Sequence, residues 1–352
     1  MNRENFIEKG SIIIQGMIDD AIKQGKNEIT IVGNYLINKA IIIPSDFTII
    51  LDRCHLRLED NTYCQIFINT YVSNINEGNS SRIKDRGISI IGKNGAILDG
   101  GNYNGLSEKN WKEKGHYIAV NNVILFANLE KFNISGIKII NQRWWAINLI
   151  NCSFGKVRDI EFCSNYMRLL PDGTLTSGLL ANDYSSVYVK NSDGVDIRLG
   201  SHDIEVENIT GFTEDDTVAV TALLGELESR YASDRQTNEI YNIKIKNVRA
   251  SAYCTLVRVL NQGGTLIHDV SIEEIFDDSG NCRYMDKSFA YAVRVGDMCR
   301  YGEGKDVAPE NITIKNVFGR QDVVLRLIGD IKNLVYDGIR GYKESQILVQ
   351  KD

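Results

Sequence analysis

Residues 238–250 read NEIYNIKIKNVRA, and their pattern decides the fold: apolar residues alternate with polar ones through Ile243 and Ile245, an Asn follows, and Val248 closes the phrase. A period of two marks a strand with one buried face. The same phrase returns as NLEKFNISGIKII (128–140), NCSFGKVRDIEF (151–162), GSHDIEVENITG (200–211), GTLIHDVSIEEIF (264–276), PENITIKNVFG (309–319) and KNLVYDGIRG (332–341). From Ile134 to Val157 is 23 residues, from Val157 to Ile204 is 47, from Ile243 to Val270 is 27, from Val270 to Ile312 is 42, and from Ile312 to Leu334 is 22. These steps are close to one or two multiples of a coil of about two dozen residues, with loops inserted in some. Units this short cannot bury their own apolar face and must stack as a solenoid.

Ile and Val in alternation, with almost no 3.6-residue period after residue 25, exclude the leucine-rich repeat and predict a parallel β-helix. The expected class is all-β: one right-handed, single-stranded parallel β-helix spanning residues 1–352 as a single domain. One helix stands out, SIIIQGMIDDAIKQG (11–25), ending in Gly. Its apolar face, Ile14, Met17, Ile18 and Ile22, suits a cap over the first coil, which otherwise exposes unpaired backbone.

With 43% hydrophobic and 24% charged residues, the composition is that of a folded globular chain. A net charge of −6 with no Lys/Arg block argues against nucleic acid or an anionic membrane as partner. No stretch approaches the roughly 20 apolar residues of a membrane span, and the first residues lack the pattern of a secretory signal. This predicts a cytoplasmic protein, or a secreted one if a signal has been removed. Seven cysteines at no metal-like spacing predict free thiols, with Cys152 and Cys163 as core fillers.

Against that frame stand NSDGVD (191–196) and TEDDTVAV (213–220). Acidic residues are poor strand formers, yet from Asp193 to Asp215 is 22 residues, about one coil. Asp193 and the Asp215–Asp216 pair should therefore lie on adjacent coils about 4.8 Å apart. Carboxylates so close raise one another's pKa, leaving one protonated beside another ionised. An acid beside a base is the apparatus for cleaving a glycosidic bond.

The sequence resembles the polygalacturonase family, the family 28 glycoside hydrolases, within the pectin-lyase-like β-helices. NSDGVD is similar to the family's Asn-Thr-Asp-Gly-x-Asp and EDDTVAV to its Gly-Asp-Asp-x-x-Ala, while GKNGAILDGG (92–101) and NQRWWAINLINC (141–152) resemble its earlier coils. The resemblance implies Asp193, Asp215 and Asp216 as catalytic carboxylates, with Asp215 favoured as the acid, and cleavage with inversion. Inversion calls for carboxyls roughly 6.5–9.5 Å apart. YAVRVGD (291–297) resembles the family's Arg-Ile-Lys strand, which makes Arg294 the expected partner of a sugar carboxylate, with Gly296, or no counterpart, where the family has Lys. Asn191 matches a site residue that orients its neighbours. The family's Gly-His-Gly has no counterpart; Tyr253 and Cys254 lie near its place, and Tyr253 is a candidate substrate contact.

Arg258, Arg294 and Arg326 recur in similar strand contexts and suit a basic ladder facing an acidic sugar, or a solvated face of paired charges. Trp144 and Trp145 alternate sides, so at most one faces a groove. The expected function is hydrolysis of uronic-acid- or rhamnose-containing pectic polymers or oligosaccharides, with no metal or cofactor. The alternatives are a calcium-dependent lyase and a carbohydrate-binding β-helix of the adhesin or tail kind.

Overall fold

The computed structural model describes residues 6–60, 62–79, 83–101, 122–142, 144–164, 168–169, 175–176, 192–231, 237–262, 264–281, 291–297 and 307–352. Among these the repeated phrase forms two parallel sheets of ten strands, and the chain leaves one strand in each on every turn. This is the right-handed parallel β-helix that the repeat predicts. A long sheet carries, among others, β9 (Ser153–Cys163), β13 (His202–Thr213), β15 (Ile240–Ala252), β17 (Ile267–Asp277) and β19 (Glu310–Gly319). A short sheet carries β8 (Trp145–Ile150), β12 (Asp193–Arg198), β14 (Val218–Thr221), β16 (Thr255–Leu260), β18 (Tyr291–Val295) and β20 (Val323–Leu327).

The Asn of the repeat has a geometric role. Left-handed residues recur five apart in successive coils: Asp203 and Asn208, Asn242 and Asn247, Asp269 and Glu274, Asn311 and Asn316. Asn and Asp tolerate this conformation better than other side chains, so they mark where each long strand bends. The bend also breaks the period of two. Ile243 and Ile245 are buried and Val248 follows three residues later, with Ile312, Ile314 and Val317 in the same positions two coils on. The bending side chains then bond along the stack: Asn247 donates to Asn208 at 2.7 Å, and Asn208 to Asp159 at 2.8 Å.

One register differs from expectation. Val157 stacks on Val206, and Ile204 stacks on Gly155. The inward position at 155 is a glycine because a Cβ there would lie 2.0 Å from the Phe132 ring, which already fills that volume. An apolar pattern that skips its own inward residue shifts the apparent alignment by two.

The capping helix, α1 (Gly10–Lys23), buries Ile14 and Ile18 as expected. Ile22 is exposed, however, and Ala21 takes the buried place. Two further short helices, α2 (Thr70–Asn76) and α3 (Glu226–Tyr231), lie against the outer face of the short sheet and form a second apolar cluster with Ile68, Leu125 and Ile150. Among the described residues no helix is long and apolar enough to cross a membrane.

Candidate active site

In β12, DGVDIR turns Val195 and Ile197 into the core, and so Asp196 and Arg198 to the outer face. Gly194 separates the two acids because the carbonyl oxygen of Thr217 would lie 2.4 Å from any Cβ there. That close approach locks the two acidic segments together. The Gly194 N–H donates to the Asp216 carbonyl at 3.0 Å, and the Asp216 N–H donates to Asp193 Oδ1 at 3.1 Å. Upstream, the N–H groups of Glu214 and Asp215 both point at the Ser192 carbonyl, at 3.2 and 3.3 Å. Glu214, which stands where the resemblance has Gly, is buried and accepts from the Ser192 hydroxyl at 3.1 Å.

The structure thus brings Asp193, Asp215 and Asp216 together on adjacent coils, one residue offset from the 22-residue estimate, since Val195 pairs with Val218. Asp193 and Asp216 are buried and Asp215 is half-buried. Burial first, then Asp196, Asp215 and Asp216, hold the Asp193 carboxyl well above the usual range. The sequence argument put like-charge repulsion first; removal from water is the larger cause, as a buried ion loses more solvation than its neighbours cost it. Asp216 is also raised by burial, against the pull of Arg258 and a hydrogen bond from Thr255. Its Oδ1 is buried without a hydrogen-bond partner in the protein.

Four of the site's groups escaped the sequence reading. Asp196 is pushed up to about 7 by burial, opposed by Arg198, and hydrogen-bonds Asp193. Arg198 is held between Asp196, at 3.1 Å, and Glu228 of α3, and its guanidinium carbon lies 3.6 Å over the Trp145 ring. Asp297 bridges Arg294, at 3.1 Å, and Arg258, at 3.8 Å. Period-two alternation in DGVDIR could have flagged Asp196 and Arg198; nothing local marks Glu228 or Asp297.

Arg258, Arg294 and Arg326 do stack in register on the outer face of the short sheet. They differ in setting. Arg258 Nη1 lies 3.6 Å from Asp216 with its side chain 7% exposed, whereas Arg294 is 14% and Arg326 28% exposed. Arg258 is the internal countercharge of the acids, and Arg294 and Arg326 face outward. Tyr253, expected as a substrate contact, is 1% exposed and packs edge-on to Phe212 at 5.3 Å, outside the apolar core that fills the coils. The groups that reach Asp216 from that coil are Thr255 and Arg258. Asn191 lies outside the described residues.

Cys254 brings its sulfur, with carboxylate oxygens of Asp215 and Asp216, within a 4.8 Å cluster. Burial, the charges of Asp215 and Asp216 and a hydrogen bond to Asp215 raise its thiol well above the ordinary value, so the thiol is protonated and donates to Asp215. One oxygen of Asp215 and one of Asp216 thus lie within 4.8 Å of each other.

The profile of the glycosyl hydrolases family 28 matches residues 33–248. A search of curated proteins gives no match. Among solved structures, polygalacturonase from Erwinia carotovora shares 14% identity, covering 97% of this chain and 93% of that one, with a TM-score of 0.58. The exopolygalacturonase of Thermotoga maritima shares 13%, covering 97% and 86%, with a TM-score of 0.57. The tailspike of E. coli bacteriophage HK620, solved with a hexasaccharide, shares 12%, covering 100% and 61%, with a TM-score of 0.55. At such identities these likenesses establish the fold, whereas the family match covers more than half of the chain and includes both acidic segments; the chain belongs to the glycosyl hydrolases family 28 and is a glycoside hydrolase.

Proposed function

We propose that the enzyme hydrolyses glycosidic bonds in pectic poly- or oligosaccharides containing uronic acid or rhamnose, without a metal. The observation that carries this reading is the three-carboxylate cluster, with Asp216 donating its N–H to Asp193 and Arg258 set against Asp216. Asp215, the half-buried member, protonates the leaving oxygen, and the Cys254 thiol fixes its orientation. Asp193 and Asp196 hold a proton between them, which leaves the uncommitted Oδ1 of Asp216 to accept the proton of the attacking water. Arg294, turned outward and anchored on Asp297, supports an acidic sugar at this site.

Reducing-sugar release from a panel of pectic polymers and oligosaccharides, with EDTA present, is the test. Activity on one or more members that Asp215→Asn abolishes is the expected result. Release that EDTA stops, with a product absorbing as an unsaturated uronide, would instead mean calcium-dependent β-elimination. Proton NMR of the first product gives its anomer. An inverted product is expected, and a retained one would overturn the inverting assignment.

A further inference from the structure

The outer face of the short sheet changes character at the catalytic coils. At one register position, coil after coil, it carries Ile68, Leu125, Asn148, Asp196 and Ala219, and then Arg258, Arg294 and Arg326. Before the acids this face is roofed. Tyr71 and Val72 of α2 and Leu227 and Tyr231 of α3 are buried on Ile68, Leu125 and Ile150. The two helices are tied to each other, the Tyr231 hydroxyl donating to Asn76 at 2.6 Å. The roof is also bolted to the catalytic strand itself, through Glu228 of α3 and Arg198 of β12. Trp145 pairs directly with Asp193 and fills the position one coil before it, packed against the roof and under the Arg198 guanidinium.

After the acids, no helix among the described residues packs on this face. The same register position rises from 7% exposed at Arg258 to 14% at Arg294 and 28% at Arg326. Arg294, paired with Asp297, and Arg326, paired with Asp352, are spaced by one coil, about 4.8 Å, along this half and present guanidinium groups to which the carboxylates of a polyanionic chain can bind.

We infer that the enzyme is exo-acting: a chain end enters from the open half, its terminal sugars stop against Trp145 and the α2–α3 roof, and the rest of the polymer lies over Arg294 and Arg326. This rests on the hydrolase reading above. A continuous groove would let the polymer cross the acids in both directions, and the roof blocks one of them.

The test follows viscosity, reducing ends and product size together on polygalacturonate. One short product from the earliest time, with viscosity falling only in step with reducing ends, is expected. Trp145→Ala should broaden that product to several lengths, because the stop recedes. Arg326→Gln, a partly exposed change that leaves the roof intact, should raise KM on the polymer about tenfold and on short oligosaccharides by less, since fewer sugars reach it. A ladder of intermediate lengths with an early collapse of viscosity overturns the exo assignment while leaving the hydrolase reading standing. Hydrolysis of no pectic chain at all overturns both.

Discussion

The two sheets of this solenoid are built from the same repeat and place charge differently. In the middle of the long sheet's strands outward charges are exposed and pair along the stack, as Lys156 does with Glu205 at 2.9 Å, and buried charges such as Arg57, Asp85, Asp99 and Asp277 lie at or beside strand ends. On the short sheet, Asp193, Asp196, Arg198 and Arg258 are buried within their strands, as is Asp216 just before its strand. Surface pairs contribute little and tolerate change, whereas buried charges are costly unless each is paired. The long sheet therefore holds the stack together, and the short sheet spends part of that stability on keeping carboxylates out of water, where their pKa values rise.

The difference is sharpest in activity. Asp216→Asn should lower the hydrolysis rate about a hundred- to ten-thousand-fold with the fold retained by circular dichroism. Ile245→Ala in the long sheet should cost about 2–5 kcal/mol in urea unfolding and leave the rate per folded molecule unchanged. A large rate loss from Ile245→Ala would break the division of labour between the sheets.

Next in size is the buried network. Arg198→Met strands Asp196 and Glu228 and should destabilise by about 3–5 kcal/mol, measured as a lower urea midpoint. By contrast Lys156→Ala, whose partner is exposed, should shift it by less than about 1 kcal/mol.

Stability against pH should separate the sheets as well. Asp196 titrates near 7 in the folded chain against 3.8 as an isolated group. Between those values the folded chain keeps a proton that the unfolded chain releases, so this contribution is full in acid and lost as pH rises through about 7. Burial gives Asp193 and Asp216 the same sign. On the long sheet, Asp269, lowered by hydrogen bonds from His268 and Asn311, and Glu205, lowered by Lys156, contribute stability that is lost only as pH falls through their depressed values. Thermal unfolding from pH 5 to 8 should therefore show falling stability that Asp196→Asn flattens. A profile that Asp196→Asn leaves unaltered would place the titration elsewhere.

The smallest effect concerns the bends. Asn247→Ala puts a Cβ-bearing residue without a ladder bond at φ 53° and should cost about 1–2 kcal/mol, while Asn247→Gly keeps the left-handed backbone and should cost less. Equal losses would mean that the side-chain bond, not the conformation, is what Asn contributes there.

The sequence by itself determined the coil, the inward Ile and Val positions, the capping helix and the adjacency of Asp193 to Asp215–Asp216. All of these follow from short-range periodicity and from one repeat length, which are properties of consecutive residues. Only the tertiary structure decided which groups surround the acids. Glu228 reaches Arg198 from 30 residues away across a roof helix too short to show a 3.6-residue pattern, and Asp297 joins two arginines on different coils. That Tyr253 is buried, packed edge-on to Phe212, is likewise visible only in the folded chain. Stacking turns sequence distance into spatial contact at one spacing only, and every contact between coils and the loops that cover them depends on a fold that local pattern does not encode.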